Sequence, residues 1–456
     1  MTGYLPGFRG TVIRRGDADY PAARSIWNGQ VDRWPDIVVR CRDAADVAAA
    51  VRYARAAGLP LAVRGGGHNV AGHALCDGGL VIDLSTMRGV AFDPVTDRVR
   101  VQGGARLGDV DAVTVPTGHI VPAGIVTDTG IGGLALGGGI GWTSRRFGLT
   151  CDHLVQAELV TAEGEMLVVD EDSAPELLWA LRGGGGNFGV VTRFTFRALR
   201  CSPTAVAGFV IYPLDREILT SLAAVAAKAD DATTTITFLR LAPPLRWMPP
   251  ALVGKPVVMV GVVHIGDTDT GLRAVDPLRQ LGGSHVDTIA PTSFLAHQAV
   301  LDAANPAGHR YFWSSQYVEA LAPDLIDLLI AHARSLSAPG SLIALFQLGG
   351  AAAAPQVASC VPFRSASFLV TYGSHWVDPS EDARHTAWTR AAVQAAAAFG
   401  LGGGYANFEG DVRGAPFPAP TLRRLAAVKR TYDPANVFHH NVNISPTTTA
   451  DSTAPS

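Results

Sequence analysis

The chain has 456 residues and a formal net charge of −3, which argues against nucleic acid as the main partner. Hydrophobic residues make up 48% and charged residues 17%, a globular balance that excludes wholesale disorder, and the length exceeds one ordinary core, so two domains are predicted. No apolar run is long enough to span a bilayer, the first ten residues lack the apolar stretch of a secretion signal, and five scattered cysteines show neither a disulfide framework nor CxxC spacing. The expectation is a cytoplasmic protein in a reducing compartment, with no membrane association and no metal site.

Residues 38–41 read as a short strand. Asp43 then caps a helix over 44–57, with Val47, Ala50, Val51 and Ala54 on one face and Gly58 as its stop. An apolar strand at 59–63 leads into Arg64, Gly65, Gly66, Gly67, His68 and Asn69. Three consecutive glycines let backbone N–H groups approach a pyrophosphate closely, and the imidazole after them is a nucleophile when neutral. From these six residues alone, a cofactor turn with a tethering histidine and an ordinary glycine turn with a surface histidine stay equally open. The glycines follow the second strand of a βαβ-like opening, so this is not the GxGxxG dinucleotide fingerprint.

Strands are predicted at 80–84 and 98–102 and a helix at 107–115, before a second glycine-rich stretch at 122–142. So many glycines so close together favour ligand contact over packing. A hairpin follows, 154–160 and 166–169 around Glu163-Gly164, then a helix at 177–181 and a third glycine turn at 183–189 entering a strand at 190–196. Glycine clusters at 65–67, 130–141, 183–186 and 402–404 suggest one ligand approached by backbone from several sides. Around Arg200 the character changes. Alternating segments at 206–211, 233–239, 257–263, 311–317, 342–348 and 367–372, with helical stretches such as 321–336, predict a second, mostly antiparallel α+β domain. An Ala-rich helix at 386–399 ends at Gly400, prolines at 416–420 mark a boundary, a helix runs over 422–429, and the Thr, Ser, Pro and Ala tail after Ile444 is expected to be disordered.

Six motifs, taken together, carry a resemblance over nearly the whole chain: RGGGHN at 64–69, VIDLS at 81–85, TGIGGLALGGGIGW at 129–142, GLTCDHL at 148–154, GGGGNFGVVT at 183–192 and YDPANVFHHNVNI at 432–444. In this order they resemble the berberine-bridge-enzyme-like branch of the vanillyl-alcohol-oxidase flavoproteins. The resemblance implies an α+β, two-domain flavoprotein of the VAO/PCMH type. Its FAD-binding domain comprises 1–199 and 411–456, the C-terminal segment returning to it. A substrate domain, 200–410, carries a large antiparallel sheet covered by helices.

The same resemblance implies that FAD is held by Arg64, Gly65, Gly66, Gly67, His68, Asn69, Gly124, Thr129, Gly130, Gly133, Gly138, Gly141, Gly189, Val191, Asn407 and Asn441, with Asn443 as a further amide. His68 matches the histidine bonded to the flavin 8α-methyl carbon. The position of a second, cysteinyl link is Val126 here, so a single covalent bond is expected, and Cys151 reads as a buried structural thiol. Thr129 matches a position that governs oxygen access. Tyr405 matches the tyrosine of a YxN motif that deprotonates a substrate hydroxyl; the alternative is a packed aromatic with a satisfied hydroxyl. Two departures set this chain apart: Phe346-Gln347-Leu348-Gly349-Gly350 where many relatives carry Tyr before Gly-Gly, and Leu369 where some carry a carboxylate. His375, Gln347 and Tyr372 are secondary candidates. The expected reaction is hydride transfer from an alcohol or phenol to flavin N5, with O2 reoxidising the flavin to give H2O2. An aromatic or polyketide-like substrate is favoured over a sugar oxidised to a lactone. A dehydrogenase with another acceptor and a non-catalytic flavin protein are the rivals.

Overall fold

Asp43 caps the helix Ala44–Ala56, its carboxylate accepting from the Ala45 and Asp46 N–H groups, and Val47, Ala50, Val51 and Ala54 are buried beneath it. The computed structural model describes residues 5–244, 248–284, 286–411 and 416–447. Most of the tail expected to be disordered, 448–456, lies outside the described residues. The strands on either side of this helix, Ile37–Arg40 and Leu61–Arg64, both run parallel to Leu80–Asp83, which sits between them. Thr11–Arg14 adds an antiparallel edge, giving four strands. The glycine turn of 65–67 leaves the end of Leu61–Arg64.

A second sheet is wholly antiparallel, in the order Val90–Asp93, Arg98–Gln102, Val190–Arg197, Leu154–Val160, Met166–Val169. The 154–169 hairpin is as predicted. Thr11–Arg14 and Val90–Asp93 were not predicted: each is a four-residue edge strand, mostly part-exposed, and shows too little alternation to read.

The third sheet is larger and antiparallel. Its main order is Val286–Asp287, Thr204–Pro213, Pro256–His264, Thr233–Leu241, Leu342–Gln347, Phe368–Trp376, Arg310–Val318. Alternation decides what each face does. Leu239, Ile343, Leu345, Val370 and Tyr372 face the helices Arg216–Ala226, Thr268–Arg279, Pro323–Arg334 and Asp382–Ala395, whose Leu222, Leu278, Leu329 and Val393 complete an apolar layer. Phe238, Leu342, Ala344, Thr371 and His375 point the other way, into a cavity. The first two of these helices fall in gaps where helical stretches are expected, though neither has predicted bounds. The last starts four residues earlier than predicted and gives way to a 3-10 turn, Ala397–Phe399.

The helix Ala419–Tyr432 and the segment after it are fastened to the third glycine turn. Fully buried Lys429 donates through Nζ to the Asp433 carboxylate at 2.7 Å and to the carbonyls of Asn187 and Phe438. Asp433 accepts in addition from the Val437 and Phe438 N–H groups. Asn187 closes the clamp, donating to Gly184 and Val442 and accepting from Ile444.

Candidate active site

The three glycine turns, the open face of the large sheet and the C-terminal segment enclose one cavity of about 340 Å³, within the range of small-molecule sites. Gly65, Gly66, Gly67, His68 and Asn69 line it from the first turn, and Gly124, Thr129, Gly130 and Gly133 from the second. Gly189 comes from the third turn, Val191 from the strand it enters, and Tyr405, Asn407 and Asn441 from the C-terminal part of the chain. The first two turns meet backbone to backbone. A Cβ on Gly66 would lie 2.3 Å from the Gly130 nitrogen, and one on Gly130 equally close to the Gly66 nitrogen. No side chain fits at either position.

Some assigned residues stand off the wall. The Arg64 guanidinium is paired with fully buried Asp83 and donates to the carbonyls of Ala23 and Ser25, so it braces the turn from below. Gly141 packs against backbone, a Cβ there falling 1.8 Å from the Ala123 carbonyl oxygen. Gly138, at φ +119°, serves a chain reversal. Asn443 is exposed. The 402–404 glycines also miss the cavity; a Cβ on Gly404 would meet the Glu409 carboxylate at 2.2 Å. Among the secondary candidates only His375 lines the cavity. The Gln347 amide is held by Thr235 and the Ala226 carbonyl, and Tyr372 faces the helices. No cysteine lines the cavity among the described residues, and burial raises the Cys151 thiol well above its ordinary value.

His68 stands at one wall. Its Nε2 lies 3.2 Å from the Asp128 carboxylate, which also pairs with Arg106. Burial, and secondarily the Arg106 charge, lowers the imidazole pKa to about 4, so the ring is neutral at physiological pH. A carboxylate only accepts, so the neutral ring carries its hydrogen on Nε2 and keeps the lone pair on Nδ1. Trp27 stacks on the ring with centroids 5.1 Å apart; Tyr311 stacks on Trp27 and His375 on Tyr311. This column links the first glycine turn to the large sheet, and the sequence reading missed its two central members. Tyr311 has one signal, its alternation with Trp313 on a strand face, and Trp27, which lies outside any helix or strand, has none of that kind.

Tyr405 stands at another wall, buried among Leu348, Leu369, Tyr317 and Phe346. Its hydroxyl oxygen accepts from the Gly139 N–H at 3.0 Å and from Asn407 Nδ2 at 2.8 Å. Asn407 reaches it by lying over Gly137, where a Cβ would be 2.3 Å from the amide oxygen. Burial pushes the phenol up to about 12, and the two donors oppose that shift without overcoming it. Between Tyr405 and the aromatic column the sheet wall is mostly apolar, carrying Phe238, Ala344 and Phe346, with the unpartnered Thr371 hydroxyl beside Ala344. No Asp, Glu or Lys lines the cavity among the described residues, and Arg240 is its one arginine.

These walls fit a dinucleotide cofactor. N–H-rich turns suit a pyrophosphate, and the buried Asn441 Oδ1, which lacks a hydrogen-bond partner, waits for a donor.

Comparison with known proteins agrees. Residues 35–170 match the family described as FAD binding domain, and 420–445 the family described as berberine and berberine like. The (R)-6-hydroxynicotine oxidase of Paenarthrobacter nicotinovorans is 32% identical over 96% of this chain and 97% of its own. An FAD-linked oxidoreductase of Dictyostelium discoideum is 30% identical over 97% of this chain and 96% of its own. The crystal structure of 6-hydroxy-D-nicotine oxidase from Arthrobacter nicotinovorans superposes with a TM-score of 0.87 at 29% identity, covering 98% of this chain and all of that one. With a VAO/PCMH-type fold, a glycine-lined cofactor cavity and relatives aligned along almost their full length, this chain belongs to the berberine-bridge-enzyme-like family of FAD-linked oxidoreductases.

Proposed function

We propose that the protein is an oxidase that removes hydride from an alcohol or phenolic substrate of aromatic or polyketide-like character, with FAD bonded covalently to His68. One observation carries this reading: a single cavity holds a neutral imidazole at one wall and, at another, a phenol whose oxygen already accepts two N–H bonds. Residues 1–199 and 411–456 form the cofactor unit in this reading, and 200–410 the substrate unit. When bound, FAD would supply the hydride acceptor for the substrate carbon, and its reoxidation by O2 would give H2O2.

The chain's own groups do the rest. The 65–69 and 183–189 turns present N–H groups to the pyrophosphate, Asn441 accepts from the cofactor, and Asp128 holds His68 so that Nδ1 is the bonding atom. Tyr405, as phenolate, takes the substrate hydroxyl proton, and the donors at Gly139 and Asn407 favour that anion. Thr129 also lines the cavity and, in this reading, tunes oxygen access. The apolar floor of Phe238, Ala344 and Phe346 favours an aromatic substrate over a sugar, whose hydroxyls need polar partners. The full-length relative named for 6-hydroxynicotine, an aromatic compound, fits the same preference.

Acid-denatured protein should stay yellow after the supernatant is removed, and His68→Ala should release its flavin. A colourless precipitate from the wild type, or a yellow one from the variant, refutes the linkage. Oxygen uptake with peroxide formation on phenolic or benzylic alcohols, and not on oligosaccharides, is the expected activity. Reoxidation by air that is very slow in stopped flow would instead mark a dehydrogenase.

A further inference from the structure

The three fully buried arginines of the described residues come with carboxylates, as does half-buried Arg364. Arg64 pairs with Asp83, Arg145 with Asp231, Arg182 with Glu171 and Arg364 with Asp152. Among half-buried arginines that pair with no carboxylate, such as Arg33, Arg197 and Arg240, Arg240 differs in its place. It is half-buried, it lines the cavity, and the only hydrogen bond its side chain makes among the described residues is from Nε to the Leu241 carbonyl at 3.3 Å. No carboxylate pairs with it among the described residues, and none lines the cavity. The cost of holding a guanidinium away from bulk water is therefore left uncompensated by the protein itself.

Its surroundings are arranged around an open space. Arg240 sits opposite Leu342 in the sheet, and Leu342 opposite Gly373. Gly340 and Gly373 both line the cavity; a Cβ on Gly340 would meet the His375 ring at 2.5 Å and one on Gly373 the Trp313 indole at 3.2 Å, so these glycines let both rings pack in this corner. His375, in the same corner, stacks on Tyr311 and hydrogen-bonds His309 at 2.9 Å. Burial, His309 and Arg240 together hold its pKa to about 4, so it adds no second charge. The corner thus offers one fixed cation and neutral N–H groups, and nothing that would repel an anion.

The pyrophosphate does not need this group, since the glycine turns on the other wall supply its donors. Along the strand from Leu342, beside Arg240, to Phe346, beside Phe408 and Tyr405, are four residues, or about 13 Å. We propose that Arg240 anchors the substrate, and that the substrate is an aromatic carboxylate whose anionic end lies roughly one molecule's length from the hydroxyl that meets Tyr405. This deepens the oxidase reading and rests on it for the identity of the reacting end; the anion site itself does not.

The test uses the holoprotein and two sets of probes: 4-(hydroxymethyl)phenylalkanoates of increasing chain length, and the primary amides of the same acids. Binding is read from quenching of Trp27 and Trp313, which line the cavity, and from flavin absorbance. The acid of best length should bind about ten- to a hundredfold more tightly than its amide, as expected of a hydrogen bond to a charged group. In Arg240→Gln that preference should vanish, with flavin content and amide affinity unchanged, and Arg240→Lys should restore part of it. Equal binding of acid and amide by the wild type overturns the proposal without need of any variant. So does loss of flavin from Arg240→Gln, which would assign the guanidinium to the cofactor. If the probes bind with the expected preference but none is oxidised, the anion site stands and the oxidase reading fails.

Discussion

Tyr405 illustrates how one side chain is pulled two ways. Its oxygen accepts from Gly139 and Asn407, an arrangement suited to a phenolate, yet burial keeps the phenol near 12. At neutral pH the basic form is then a small fraction, and it grows tenfold with each pH unit. The expected result is a kcat/KM that climbs through pH 7–10 with no plateau, and a loss of about 10²–10⁴-fold in Tyr405→Phe with flavin still bound. A rate that levels off below pH 9, or a variant of near-normal rate, would remove Tyr405 as the base. His68 shows the opposite case, in which burial favours the reactive form, because desolvation disfavours an imidazolium as it does a phenolate. Both histidine and tyrosine stand out in the sequence because they sit in glycine-rich motifs. Arg240 does not: an arginine at an alternate position of a strand reads as solvent-facing, and only the lack of a partner in three dimensions makes it informative.

Among the elements, the helix Ala419–Tyr432 depends most on a single contact. Lys429 and Asp433 are both fully buried, one turn apart, and each also binds backbone of another segment. Lys429→Met keeps the volume and strands the carboxylate. The expected cost is about 3–5 kcal/mol, read as a lower urea midpoint. An unchanged midpoint would mean the pair is not carrying the helix. YDPANVF was legible as a motif, but the reason for its aspartate was not, because Asp433 works through Lys429 and through backbone at Phe438. The same limit applies to the sheets. Individual strands such as Arg98–Gln102 and Leu154–Val160 were predicted to the residue. Their order was not, since partners such as Ile236 and Phe346 are more than a hundred residues apart. Alternation shows that a strand has two faces; it does not show which face meets a ligand.

On the scale of the whole molecule, histidine burial ties stability to pH. His68, His73, His153, His297 and His375 are each lowered to about 4, in every case chiefly by burial, from an ordinary 6.5. Between those values the unfolded chain binds more protons than the folded one, so stability rises with pH across the window and is lost as pH falls from 6.5 towards 4. Asp111, pushed up to about 7 by burial, works in the opposite sense, one group against five. The melting temperature of the flavin-free protein should therefore drop steadily over pH 6.5 to 4 at constant ionic strength; a flat profile there would contradict the burial of these rings. The clamp at Lys429 bears on the order of events in the cell. Phe438, His440, Asn441 and Val442 form part of the cavity wall, yet the ribosome makes them after every strand of the sheets. A nascent chain that has already displayed its RGGGHN turn still has an unfinished container, so a truncation ending before Phe438 is expected to retain no flavin, read from the absorbance of the purified protein.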